Sequence, residues 1–112
     1  DPNIQDASGN TPAMLAVEKS FTEGLDSLIR YKANLNLANA RGETPLIRAV
    51  QLRRTDLVRT LLAGGANPDQ ADVMAGMSAR DYARRDTRTP ALLKLMDEAP
   101  KAKKPAVAGP RL

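Results

Sequence analysis

The chain contains no cysteine and no histidine. Their absence removes thiolate and imidazole nucleophiles, histidine general bases, Ser-His-Asp triads and zinc sites built on thiolate or imidazole. No disulfide framework is available either, so cysteine usage leaves the compartment open between cytoplasmic and periplasmic or secreted. Tryptophan is absent too, and the three aromatics are Phe21, Tyr31 and Tyr82, too few for the stacking platforms that bind single-stranded nucleic acid. No run approaches the ~18 apolar residues of a membrane span, and the opening Asp1-Pro2-Asn3 is not a secretion signal. What remains is 112 residues, 42% hydrophobic and 27% charged: one compact, soluble unit with a core of Leu, Ala and Val. The formal net charge of +4 raises a nucleic-acid or anionic-membrane reading, which the placement of the charges has to support.

The chain repeats itself. Gly9-Asn10-Thr11-Pro12 recurs as Gly42-Glu43-Thr44-Pro45, Ala16 as Ala49, Leu28-Ile29 as Leu61-Leu62, and Ala33-Asn34-Leu35-Asn36 as Ala66-Asn67-Pro68-Asp69, each at a shift of 33. A third copy follows at a shift of 34, with Gly76-Met77-Ser78-Ala79, Ala83 and Leu95-Met96 as counterparts and the extra residue near Asp72-Val73-Met74. Within a copy, Thr44 suits a helix N-cap and Pro45 its first position, where a missing N–H costs nothing. Leu46, Ala49 and Val50 share one helical face, and Val58, Leu61 and Leu62 build a second after Arg53-Arg54. Gly64-Gly65 supplies a left-handed stop. Helices this short are unstable alone, so neighbouring copies must stack.

Thr44-Pro45-Leu46 with Leu61-Leu62-Ala63-Gly64-Gly65-Ala66-Asn67 resembles the ankyrin repeat, and the resemblance extends over residues 6–99. It implies an all-α solenoid of helix-turn-helix-loop units: the end of a preceding repeat in residues 1–5, repeats in 6–38 and 39–72, a C-terminal capping repeat in 73–99, and a basic, proline-rich tail in 100–112. The family's histidine after Thr-Pro-Leu is replaced by Met14, Ile47 and Asp81. Lys32 stands where the second unit has Gly65, and Gly24 interrupts a helix, so the first unit is expected to be the softest.

The two ends differ. Arg80 and Arg84 replace Leu46 and Val50, the polar outer face that a terminal repeat needs for solubility, and Thr89-Pro90 restarts a helix reaching about Glu98. At the other end, residues 1–6 align with residues 34–39, and Ala13, Met14, Leu15 and Val17 are expected to present an apolar helix with no polar cap. An upstream repeat or a second chain is the expected cover.

Lys101, Lys103, Lys104 and Arg111 account for the whole net charge, and residues 1–99 hold 13 basic and 13 acidic side chains. Docking on nucleic acid or lipid therefore rests on the tail alone, and it is the alternative function. The carboxylates Asp69 and Asp72, and Asp97 and Glu98, sit in turn and helix contexts without ligand alternation, and Gly64-Gly65 closes a helix where the dipole repels anions. No enzyme activity, cofactor, metal or small-molecule substrate is expected. The resemblance implies instead a non-catalytic protein-binding module, whether inhibitor, immunity factor, adaptor or accessory factor, using a concave groove. Loop-tip candidates are Ser8, Asn10, Arg41, Glu43, Ala75 and Met77. First-helix candidates are Leu15, Glu18 and Lys19, then Arg48, Gln51 and Leu52, then Tyr82, Arg85 and Asp86. Arg48 and Tyr82 are the preferred anchors, with junction packing the competing role for Tyr82. Arg53, Arg54, Arg84, Arg85 and Arg88 gather as a basic cluster beside the helix-hairpin turns.

Overall fold

The computed structural model describes residues 1–99. The basic tail, and with it the alternative of docking on an anionic surface, lies outside the described residues. Six helices form three hairpins: α1 (Pro12–Glu18) with α2 (Thr22–Arg30), α3 (Pro45–Gln51) with α4 (Thr55–Ala63), and α5 (Ala79–Arg85) with α6 (Pro90–Glu98). The first helices lie side by side, α1 on α3 and α3 on α5, while α4 packs on α6. There are no strands among the described residues.

Each first helix starts as its residues dictate. The Met14 and Ile47 N–H groups donate to the hydroxyls of Thr11 and Thr44, both at 3.3 Å. Proline follows both caps. In the third unit Ser78 accepts from Asp81 N–H at 3.2 Å, and the Asp81 carboxylate accepts from Ser78 N–H at 3.0 Å. Asp81 therefore closes a reciprocal cap where the family has histidine. The core is the aliphatic stripe of the middle hairpin, with Leu46, Ile47, Ala49, Leu57, Val58 and Leu61 fully buried. Val17 and Leu25 of the first unit and Ala83, Leu92 and Met96 of the third extend it.

The loops stack as well. Asp6 and Asn39 each use a side-chain oxygen to accept N–H groups two and four residues on: Ser8 and Asn10, then Arg41 and Glu43. Asp72 accepts from Ala75 and Met77, three and five residues on. The inserted residue thus lies just after Asp72, as the shift of 34 predicts. Between units, Ala40 N–H donates to Ser8 C=O at 2.9 Å and Val73 N–H to Arg41 C=O at 3.0 Å. This contact requires Gly42, whose φ is +78° and where a Cβ would stand 2.5 Å from Val73 N. Gly76, its counterpart in the last loop, faces open space.

Three expectations need correction. Leu95-Met96 is not the counterpart of Leu61-Leu62: the buried pair of α6 is Leu92 and Met96, matching Leu57 and Leu61 at a shift of 35, with Leu95 half-buried. The cause is the α5–α6 turn, with four residues where the earlier turns have three. Thr89 occupies the N-cap of α6, but its hydroxyl accepts no capping bond. Ala13, Met14 and Val17 are buried within the chain, and the open apolar face is made by Leu15, Phe21 and Tyr31. Gly24 lies inside α2, where it keeps its propensity cost, and the exposed Phe21 ring folds against it. Lys32 does adopt the left-handed conformation, with φ 61°.

Candidate functional site

The face that carries the candidates is built from the loop tips and the outward sides of α1, α3 and α5. Ser8, Arg41 and Ala75 are exposed at the tips, and Asn10, Glu43 and Met77 are half-buried. Asn10 and Glu43 are partly committed: the Asn39 side-chain amide donates to Asn10 Oδ1 at 3.1 Å and Glu43 Oε1 at 3.2 Å. Leu15, Glu18, Lys19, Leu52 and Arg85 are exposed, whereas Arg48, Gln51, Tyr82 and Asp86 are half-buried.

Several of these side chains are joined across units. Arg48 Nε donates to Glu18 Oε2 at 3.3 Å, and Arg48 Nη1 donates to Gln51 Oε1 at 2.7 Å. The guanidinium of the middle unit is thereby held between a carboxylate on α1 and an amide on its own helix. Farther along, Arg53 Nε donates to Asp86 Oδ2 at 2.7 Å. Burial works against ionisation of Asp86, but Arg53 and the Arg88 N–H hold its carboxyl below the usual range.

Tyr82 is partly spoken for: its hydroxyl donates to Asp72 Oδ2 at 2.5 Å. Asp72 is buried, which disfavours its charge, yet the Tyr82 hydroxyl and the N–H groups of Met77, Ala75 and Gly76 outweigh burial and keep its pKa low. The same bond to the carboxylate pushes the phenol up to about 12. Asp72 ties the last loop to α5, a role its spacing from Asp6 and Asn39 could have revealed. Asp69 pairs with Arg80 at 2.8 Å. Among the described residues no group of three or more acidic, cysteine or histidine side chains could hold a metal ion.

A second feature lies at the N-terminal end. Pro12, Leu15, Phe21, Leu28 and Tyr31, with Pro2, line an apolar cleft of about 720 Å³. Phe21 is 55% exposed and Tyr31 74%.

The family model for ankyrin repeats, three copies, matches residues 1–72. The chain belongs to the ankyrin-repeat family. A fowlpox virus protein named for its ankyrin repeats is 35% identical over 75 residues, 64% of this chain and 10% of its own length. The IkB-like protein of African swine fever virus is 31% identical over 87 residues, 74% of this chain and 37% of its own. The poly(ADP-ribose) polymerase tankyrase of Caenorhabditis elegans is 41% identical over 64 residues, 57% of this chain and 3% of its own. The chain thus spans only a minor part of these relatives. Ankyrin repeats are protein–protein interaction modules and generally not catalytic, though some relatives are larger enzymes. No helix among the described residues is long and apolar enough to cross a membrane.

Proposed function

We propose that this ankyrin array is a non-catalytic module that holds a folded protein partner along the loop tips and first helices. The observation that carries the reading is the Glu18–Arg48–Gln51 chain, which fixes a guanidinium on the face before any partner arrives. A preordered surface loses little conformational entropy on association, so a few anchors suffice for specific binding. Inhibitor, immunity, adaptor and accessory roles all use such a surface, and one relative of this chain is named an IkB-like protein. Arg48 and Tyr82 are the anchors, with Leu15, Leu52 and the exposed tips Ser8 and Arg41 around them. Replacing Arg48 and Tyr82 together by alanine is expected to weaken binding to a partner captured by the intact chain at least about tenfold, or 1.4 kcal/mol. Unchanged affinity with an intact fold would remove the groove from consideration.

The N-terminal cleft belongs to the same reading. One unit on, the counterparts of Leu15, Phe21 and Tyr31 are Arg48, Arg54 and Gly64. All three meet the first unit: Arg48 pairs with Glu18, Arg54 bonds the Ser20 hydroxyl, and a Cβ on Gly64 would stand 2.9 Å from Leu35 and 3.0 Å from Ile29. The face one unit earlier is therefore shaped for a further helical hairpin, in an upstream repeat or another chain. Tyr31 stands where the internal junction has Gly64 close against Leu35 and Ile29, so a covering hairpin needs more room opposite it than the first unit leaves opposite Gly64. Replacing Phe21 and Tyr31 by serine is expected to abolish most apolar-dye binding by the 112-residue chain. Undiminished dye fluorescence would place the open apolar surface elsewhere.

A further inference from the structure

The turn from α5 to α6 is built unlike the other two. Lys19, Ser20 and Phe21 join α1 to α2, and Leu52, Arg53 and Arg54 join α3 to α4; in both the middle residue is left-handed, Ser20 at φ 54° and Arg53 at φ 56°. The third turn has four residues, Asp86 to Thr89, and none with positive φ. Asp86 leaves the helix with ψ 89° where its counterpart Leu52 has ψ −2°. The Asp86 carboxylate then accepts from Arg53 at 2.7 Å and from Arg88 N–H at 3.0 Å. Between this turn and the end of α3 lies a cavity of about 350 Å³, lined by Gln51, Arg53, Tyr82, Arg85, Asp86 and Arg88 among others.

The charges in this cavity do not balance. Asp86 answers Arg53. Arg85 reaches the Met77 sulfur at 3.2 Å, and neither it nor Arg88 forms an ion pair among the described residues; the Arg88 charge acts on Asp86, which Arg53 already engages, so one carboxylate faces three guanidinium groups. The other two arginines of the unit are matched, Arg80 with Asp69 and Asp97, and Arg84 with Asp81. Arg84 and Arg85 lie in the last turn of α5 and complement its carbonyl end. Arg88 lies beyond the helix, so the dipole does not account for it.

We infer that the α5–α6 turn is a receptor for an acidic side chain of the partner, with Arg85 and Arg88 together pairing one carboxylate. The inference deepens the groove reading and rests on it. Guanidinium forks match carboxylates bidentately, and Val50 and the Tyr82 ring offer apolar contact to the methylenes of Asp or Glu. A protein segment fits better than nucleic acid. Residues 1–99 carry 13 charges of each sign, so the site is a local excess on a neutral surface and not the extended basic track a phosphate backbone demands.

The test uses the 112-residue chain with a fluorescent hexaglutamate peptide and a fluorescent oligothymidylate of equal charge, read by anisotropy. Arg85→Ala with Arg88→Ala is expected to weaken peptide binding about tenfold, as loss of a bidentate charged pair does. Arg59→Ala with Lys94→Ala, the same charge change elsewhere, is expected to have less than about a twofold effect. An equal loss in that control, no measurable peptide binding, or an oligothymidylate affinity that falls in the 85/88 variant as far as the peptide's does would overturn the inference. Against the captured partner, the 48/82 pair alone being harmful would leave the groove standing and sink the acidic receptor. The 85/88 pair alone being harmful would leave the receptor and sink the anchors.

Discussion

The two ends of the array solve the same problem in opposite ways. Among the described residues the middle unit is covered on both sides, whereas the first and third each have one face on which no described unit stacks. At the C-terminal end that face is polar: Arg80 reaches Asp69 at 2.8 Å and Asp97 at 2.5 Å, tying loop, α5 and α6 together. These bonds, Asp69's first, outweigh burial and raise the Arg80 pKa further. At the N-terminal end the corresponding surface is Leu15, Phe21, Leu28 and Tyr31 around a cleft. The polar face of the third unit suits contact with water, whereas the first unit exposes apolar side chains.

The comparison breaks most easily in the core. Leu61, fully buried, and Leu28, half-buried, are counterparts at a shift of 33. Leu61→Ala should lower unfolding stability in urea by about 3 kcal/mol and Leu28→Ala by less than about half of that. Equal losses would mean that the N-terminal face is already closed.

Next comes the carboxylate that organises the last loop. Asp72→Ala should cost about 2 kcal/mol, because it leaves the Tyr82 hydroxyl and two or three N–H groups without their acceptor. Asp6→Ala, at the exposed counterpart, should cost less. Asp72 also sets a pH dependence. Its pKa is lower folded than unfolded, so its contribution is complete above about pH 4 and disappears as the pH falls through the folded value. Tyr82 runs the other way: raised from 10.0 to about 12, its contribution is present below pH 10 and lost as the pH rises towards 12. Ultraviolet titration of a Tyr31→Phe chain should find the remaining phenol ionising near the upper value, and a midpoint near 10 would break the Tyr82–Asp72 bond. Salt should reveal the polar end. Arg80→Ala is expected to cost at most about 1 kcal/mol, and less at high ionic strength, since its partners are exposed.

The smallest effect concerns the left-handed loop positions. Lys32→Gly should raise stability by about 0.5 to 1 kcal/mol, whereas Gly65→Ala, at φ 100°, should lower it by a similar amount. If Lys32→Gly destabilises instead, the first unit is not strained at that residue.

Much of this architecture is legible in the residues because the forces involved are local. Thr11, Thr44 and Ser78 cap the helices that follow them, and Gly65 and Lys32 take the left-handed turn that the repeat assigns them. The insertion after Asp72 is visible from the shift alone. The insertion in the α5–α6 turn is not, since Leu92, Leu93, Leu95 and Met96 offer two apolar registers and only packing against α4 selects Leu92 with Met96. Gly24 reads as a helix weakness, and only the structure shows the Phe21 ring lying against it. The candidate face was readable as a set of positions, but its bonds were not. Glu18 with Arg48, Arg53 with Asp86, and Tyr82 with Asp72 link residues 30, 33 and 10 apart.

The sequence by itself determined the period, the helix starts and stops, the neutrality of residues 1–99, and the exclusion of thiol and imidazole chemistry. These follow from residue type and short-range geometry. Only the tertiary structure decided which apolar residues face outward at the N-terminal end, which register α6 adopts, and which arginines are left without a carboxylate. Each of those depends on what lies one repeat away, and burial and charge pairing are properties of neighbours in space.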